Sequence, residues 1–206
     1  LICGFICVHA CMAGVRLTSP LLALQLGYSA AAVGVMLALF ALTQVFLSLP
    51  AGRYVDRHGL KKPVRMAVVA ASVGTVLAFC YNFLPIFATL CLASLLTGGA
   101  AGMAAISLQR HVGRMAKTPT ELKKVFSWLA LGPAISNFLG PFVAGLVIDH
   151  FGFQSAYGTL AVLPLLGWLC IRRTTDLPPL DAADKAGAGP KQKAWDLLAK
   201  PMFRRL

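Results

Sequence analysis

The sequence predicts an all-α integral membrane protein with six transmembrane helices arranged as a 3+3 inverted repeat. Three observations carry this reading. The 206 residues are 58% hydrophobic and 13% charged, whereas a soluble domain is roughly half apolar and a quarter charged. The apolar residues gather in six runs, each near the roughly 20 residues that a helix needs to cross lipid. A nine-residue pattern at the end of the second run also returns at the end of the fifth.

The spans are expected at 1–26, 30–51, 63–81, 85–109, 119–148 and 154–171. Ser29 in "GYSAAAVG" is placed to cap the second. Pro63 suits the first turn of the third, where a missing N–H does no harm. "TPTE" at 118–121 reads as a capping box that opens the fifth: Thr118 caps, Pro119 takes the first helical position and Glu121 reaches back. Residues 1–173 form one six-helix domain. Residues 174–206, rich in Ala, Gly, Pro and Asp, read as a flexible cytoplasmic linker. Within it, 195–206 reads as an amphipathic lead-in at the membrane surface. The chain opens without Met inside an apolar run and closes on a basic tail, so a longer protein with a C-terminal half is expected.

Net charge is +12, yet the basic residues are sorted by topology and do not form a nucleic-acid patch. Of 19 Lys and Arg, five follow the second span (Arg53, Arg57, Lys61, Lys62, Arg65). Five follow the fourth (Arg110, Arg114, Lys117, Lys123, Lys124), and eight follow the sixth. Arg16 alone remains. The connections "LGYSAA", "YNFLP" and "DHFGFQSAY" hold none. The positive-inside rule then puts both termini and every basic loop in the cytoplasm. The six cysteines all fall in apolar runs without CxxC spacing. They read as small buried hydrophobes and not as a disulfide framework or zinc site.

The repeat appears when residue n is set against n+93. Ala51, Gly52, Val55, Asp56 and Gly59 fall on Ala144, Gly145, Ile148, Asp149 and Gly152. The first copy ends a span inside and the second ends one outside, as an inverted repeat of three helices requires. Arg53, Arg57, Lys61 and Lys62 fall on Leu146, His150, Gln154 and Ser155, so the outer copy has lost its fixed positive charge.

"GRYVDRHGLKK" resembles the cytoplasmic loop 2–3 signature of the major facilitator superfamily, through Gly52, Asp56, Arg57, Gly59, Lys61 and Lys62. Leu60 departs from it, since the family usually has a basic residue there. "LGPAISNFLGPFVAGLVIDHFG" resembles the fifth-helix motif of the antiporter branches, through Gly132, Gly140, Pro141 and Gly145. The resemblance covers residues 1–206, as the N-terminal six of twelve helices. It implies a secondary transporter working by rocker-switch alternating access, with Asp56 and Arg57 acting in gating. The branch assignment is weakened by "CLASLLTGGAAGMAA" in the fourth span, where the antiporter branches carry an Arg.

An ionisable residue at membrane depth is a functional candidate by default. Arg16 lies roughly 15 Å below the outer end of its helix at 1.5 Å per residue. His9, seven residues earlier, shares its face. Arg16 suits an anionic group or a carboxylate from the second half, and His9 is the embedded group able to titrate near neutrality. Gln44, Thr97 and Asn137 are uncharged polar candidates. No cofactor, metal site or catalytic residue is expected. His58 and His111 read as solvated loop residues. The expected partners are a small-molecule substrate, a coupling ion such as the proton, the lipid bilayer and the C-terminal six-helix half. The expected location is a bacterial inner (plasma) membrane. The expected function is efflux of a drug or metabolite, or transport of an organic anion. The alternative is a membrane-embedded sensor or assembly protein without transport activity.

Overall fold

The computed structural model describes residues 2–115 and 118–174. Among the described residues run five α-helices: α1 (Ile2–Gln25), α2 (Ala30–His58), α3 (Lys61–Phe79), α4 (Ile86–Met115) and α5 (Pro119–Ile171). A short 3-10 turn, Tyr81–Phe83, links α3 to α4. All five are long and apolar enough to cross a membrane. The linker 175–206 and its lead-in lie outside the described residues.

Two starts follow the local chemistry. The Ser29 hydroxyl accepts from the Ala32 N–H at 3.3 Å, and the Thr118 hydroxyl accepts from the Glu121 N–H at 3.2 Å. Each satisfies a donor that the first turn leaves orphaned.

Two ends depart from expectation. α2 was expected to end at 51 but runs to His58, so the charged motif is helix and not loop. α4 likewise runs to Met115, past the expected 109. Hydropathy marks where lipid ends, whereas a helix ends where its hydrogen bonds are better made elsewhere. His58 is therefore the last residue of α2, its Nδ1 3.0 Å from the Tyr54 carbonyl oxygen and its ring stacked on Tyr54. His111 lies within α4 and is buried. Neither is the solvated loop residue expected.

The fifth and sixth expected spans fall in a single element. α5 has 53 residues, and its backbone breaks at Gly152, with φ 81° and ψ 175°. A straight helix of that length would reach roughly 80 Å at 1.5 Å per residue. Packing against α1 shows what the break does. A Cβ built at Gly132 would lie 2.8 Å from the Phe5 ring, and one at Gly140 would overlap the Ala10 carbonyl oxygen. Before the break, then, α5 advances along α1 in the same sense. After it, Leu160 meets Gly14, while Gly167 and Ile171 meet Gly4. The second part runs back down α1.

The break has a counterpart. Gly59 ends α2 with φ 74° and ψ −151°, close to the values at Gly152. A side chain strongly disfavours this region, so it falls to glycine. Gly59 and Gly152 are the two glycines that the n+93 alignment superposes. Ala51 and Ala144, also superposed, are both buried.

The core runs between α1, α3, α4 and α5, through Val8, Val15, Ala71, Leu90, Ala101, Tyr157 and Leu160. α2 leans on α4 where Gly98 meets the Phe40 backbone. The opposite face of α2 is left bare, with Val45, Phe46 and Leu49 each at least two-thirds exposed. Of the cysteines, only Cys11 is buried, while Cys3 and Cys170 are exposed. The expectation of six buried thiols does not hold.

Candidate functional site

α1 is apolar over nearly its whole length, so it packs by small residues and not by a polar face. Gly14 and Gly140 bring α1 and the first part of α5 to backbone contact. The Ser136 hydroxyl shares its one proton between the Ile6 carbonyl oxygen across the seam, 3.1 Å away, and the Gly132 carbonyl oxygen of its own helix, 2.8 Å away. On the other side of α1, buried Ser19 and the Tyr157 hydroxyl are 3.0 Å apart.

Beside this seam opens a cleft of about 310 Å³, lined by Ala13, Arg16 and Leu17 from α1 and by Asn137 and Pro141 from α5. Arg16 is exposed into it. The guanidinium offers five fixed donors, and an amide adds a donor and an acceptor. Together they suit a planar anion such as a carboxylate. A second cavity, of about 260 Å³, lies between α2, α3 and α4, lined by residues such as Leu47, Met66, Leu96 and Met103. It holds no ionisable side chain, so the Arg16 cleft is the better candidate for recognition.

Arg16 and Asn137, read separately from the sequence, thus meet in one place. His9 does not line the cleft, but it precedes Ala13 by one turn on the same stripe of α1. Its ring lies 4.5 Å from that of Phe5, and its buried Nδ1 has no hydrogen-bond partner. Gln44 is elsewhere: it packs on α4 against Gly102. Thr97 is fully buried and donates to its own helix at the Ala93 carbonyl oxygen, 2.7 Å away. Of the fifth-helix motif, Gly132 and Gly140 close the seam, Pro141 lines the cleft and Gly145 faces open space.

A second polar constellation lies at the basic end of the fold. Asp56 Oδ1 is 2.5 Å from Arg110 Nε. Arg110 Nη2 also donates to the Asp56 carbonyl oxygen at 3.2 Å. The pair exists because α2 and α4 both run past their apolar stretches. Of the other motif residues, Gly52 is half-buried with open space around it, and Arg57 and Lys62 are exposed. Lys61 and Lys62 begin α3. Arg110 was read only as part of a basic cluster. The missed signal was an acid and a base at helix ends on one side of the bundle.

Compared with protein families, residues 1–206 match the Major Facilitator Superfamily.

Proposed function

The chain belongs to the major facilitator superfamily, whose members are secondary active transporters and not enzymes, and from that premise we propose that it carries a small organic anion past Arg16 and Asn137. Such proteins bind small-molecule substrates within membranes, and this chain is a multi-pass integral membrane protein. The observation that carries the proposal is the cleft where the one basic residue of α1 faces Asn137 and Pro141. A charge there would be expensive without a partner, and an anionic cargo supplies one.

The topology proposed for this work is six crossings. Gly152 separates residues 119–151 from 153–171, and the two parts lie along α1 in opposite senses. The matched dihedral angles of Gly59 and Gly152 support a 3+3 inverted repeat. Positive-inside sorting supports cytoplasmic termini, and with them the cytoplasmic side for the Asp56–Arg110 pair. The bare apolar faces of α2 and of early α5, with Phe46, Leu49, Phe138 and Phe142 exposed, suit docking of a C-terminal six-helix half. Asp56, with Arg57 beside it, then acts as a gate at the moving interface, held ready by Arg110. Gly52 and Gly59 shape the end of that helix, and Lys61 and Lys62 anchor the next.

Proton coupling is proposed at His9, a partly buried imidazole whose buried Nδ1 has no hydrogen-bond partner, one turn from the cleft. Gln44 would contribute only by moving from its place against α4. Drug or metabolite efflux is the second reading, and it rests on the fifth-helix resemblance, in which Pro141 belongs to both motif and cleft.

The test is flux in proteoliposomes of the full-length protein, with labelled organic anions and cations of matched size. Anion flux that collapses in Arg16→Ala at unchanged protein level is expected. Anion flux at the wild-type rate in that variant would sink the proposal, and selective cation flux would favour the second reading.

A further inference from the structure

Cys3 and Cys170 stand 167 residues apart, yet their sulfurs lie 4.0 Å from one another. Both side chains are exposed. Their backbones are already held together. A Cβ built at Gly4 would lie 2.5 Å from Ile171 Cγ1 and 2.8 Å from the Gly167 carbonyl oxygen. One built at Gly167 would lie 2.8 Å from the Gly4 carbonyl oxygen and 3.3 Å from Cys7 Cβ. The two cysteines therefore flank a glycine-to-glycine crossing of α1 and the end of α5. The sulfurs have only to close from this separation to the roughly 2 Å of a disulfide, on two helices already in contact at Gly4 and Gly167. Arg172 and Arg173 lie two and three residues beyond Cys170 and are exposed, so the pair sits at the basic boundary of the apolar zone, within reach of water.

We infer that Cys3 and Cys170 form a peroxide-sensitive thiol pair whose oxidation staples α1 to the C-terminal end of α5. The oxidant class is a hydroperoxide. One thiol, as its thiolate, attacks a peroxide oxygen; the O–O bond breaks, a sulfenic acid forms and the other oxygen leaves, taking up a proton as water. The second thiol then attacks the sulfenic sulfur, the S–S bond forms and the sulfenic oxygen leaves as water. With hydrogen peroxide, two thiols lose two electrons and two protons, and one peroxide becomes two waters. A reducing compartment reverses the bond, as suits a transient mark and not a permanent framework. Cys7, half-buried one turn further along α1, is the competing thiol.

The experiment treats full-length protein in native membranes with hydrogen peroxide, blocks remaining thiols by alkylation and maps linked peptides by mass spectrometry. Wild type and Cys7→Ser are expected to lose alkylation at positions 3 and 170 together, yield the Cys3–Cys170 linked peptide and recover both thiols with dithiothreitol. Cys3→Ser is expected to leave Cys170 fully alkylated. Cys3 and Cys170 that stay alkylatable after peroxide would overturn the inference. So would a link that runs through Cys7, or one between two copies of the chain.

Discussion

Arg110 grips Asp56 twice, at the carboxylate through Nε and at the main-chain carbonyl oxygen through Nη2. The grip spans two helices that both continue beyond their apolar stretches. The Asp56 side chain is 48% exposed, so the pair contributes about 0–1 kcal/mol to stability. Its value is positional: it fixes the end of α2 against α4.

Asp56→Asn and Arg110→Ala are therefore expected to leave expression and unfolding temperature near wild type while slowing flux by roughly tenfold or more. Arg110→Lys is expected to behave like Arg110→Ala, because an ammonium cannot hold both oxygens in a planar fork. Paired measurement of protein level and flux checks this. An equal fall in both would make the pair structural only.

At the cleft, a charge-assisted hydrogen bond is worth about 1.5–3 kcal/mol, or roughly ten- to hundredfold in affinity. Arg16→Gln should raise the half-saturating anion concentration by that order, and Arg16→Lys should restore part of it. Asn137→Ala should cost less, since it removes a neutral partner. Concentration-dependent flux for the three variants, in the same vesicles, is the measurement.

His9→Gln keeps a polar side chain of similar reach but cannot take up a proton. Flux driven by an imposed proton gradient is expected to fall, while exchange of cargo across equal pH should persist. Loss of both would mean that His9 packs against Phe5 and does no more.

The glycines divide cleanly. Gly152→Ala meets no neighbour within 4 Å, so its cost comes from backbone strain at φ 81°, about 1–3 kcal/mol. Gly140→Ala keeps an ordinary helical backbone but drives a methyl into the Ala10 carbonyl oxygen, with overpacking of about 1–3 kcal/mol. Gly145→Ala has open space in a helix and should be neutral or slightly stabilising. Thermal unfolding in detergent separates the three.

Much of the fold was legible because lipid imposes a simple code. Apolar length located the helices, Ser29 and Thr118 announced two starts, and a fivefold match at n+93 paired Gly59 with Gly152, two glycines of positive φ. The ends of α2 and α4 were not legible, because hydropathy reports solvent and not hydrogen bonding. The partner of Asp56 was hidden for the same reason: Arg110 is 54 residues away and looked like one more topological charge. Arg16 stood out as a charge in lipid. The place of Gln44 against Gly102 was not legible, because nothing local says which face of α2 meets α4. Asn137 was read alone and gained its meaning from the approach of Gly140 to Gly14.

The double embrace of α1 by α5 has a consequence for biosynthesis. α1 leaves the ribosome before α5, yet the nearest neighbours of Gly4 and Gly14 are Gly140, Leu160, Gly167 and Ile171. Until those residues are made, α1 waits with its small-residue seam uncovered by α5. Quality control by membrane chaperones has its natural target in that interval, and a nascent chain stalled before Gly140 would present it indefinitely.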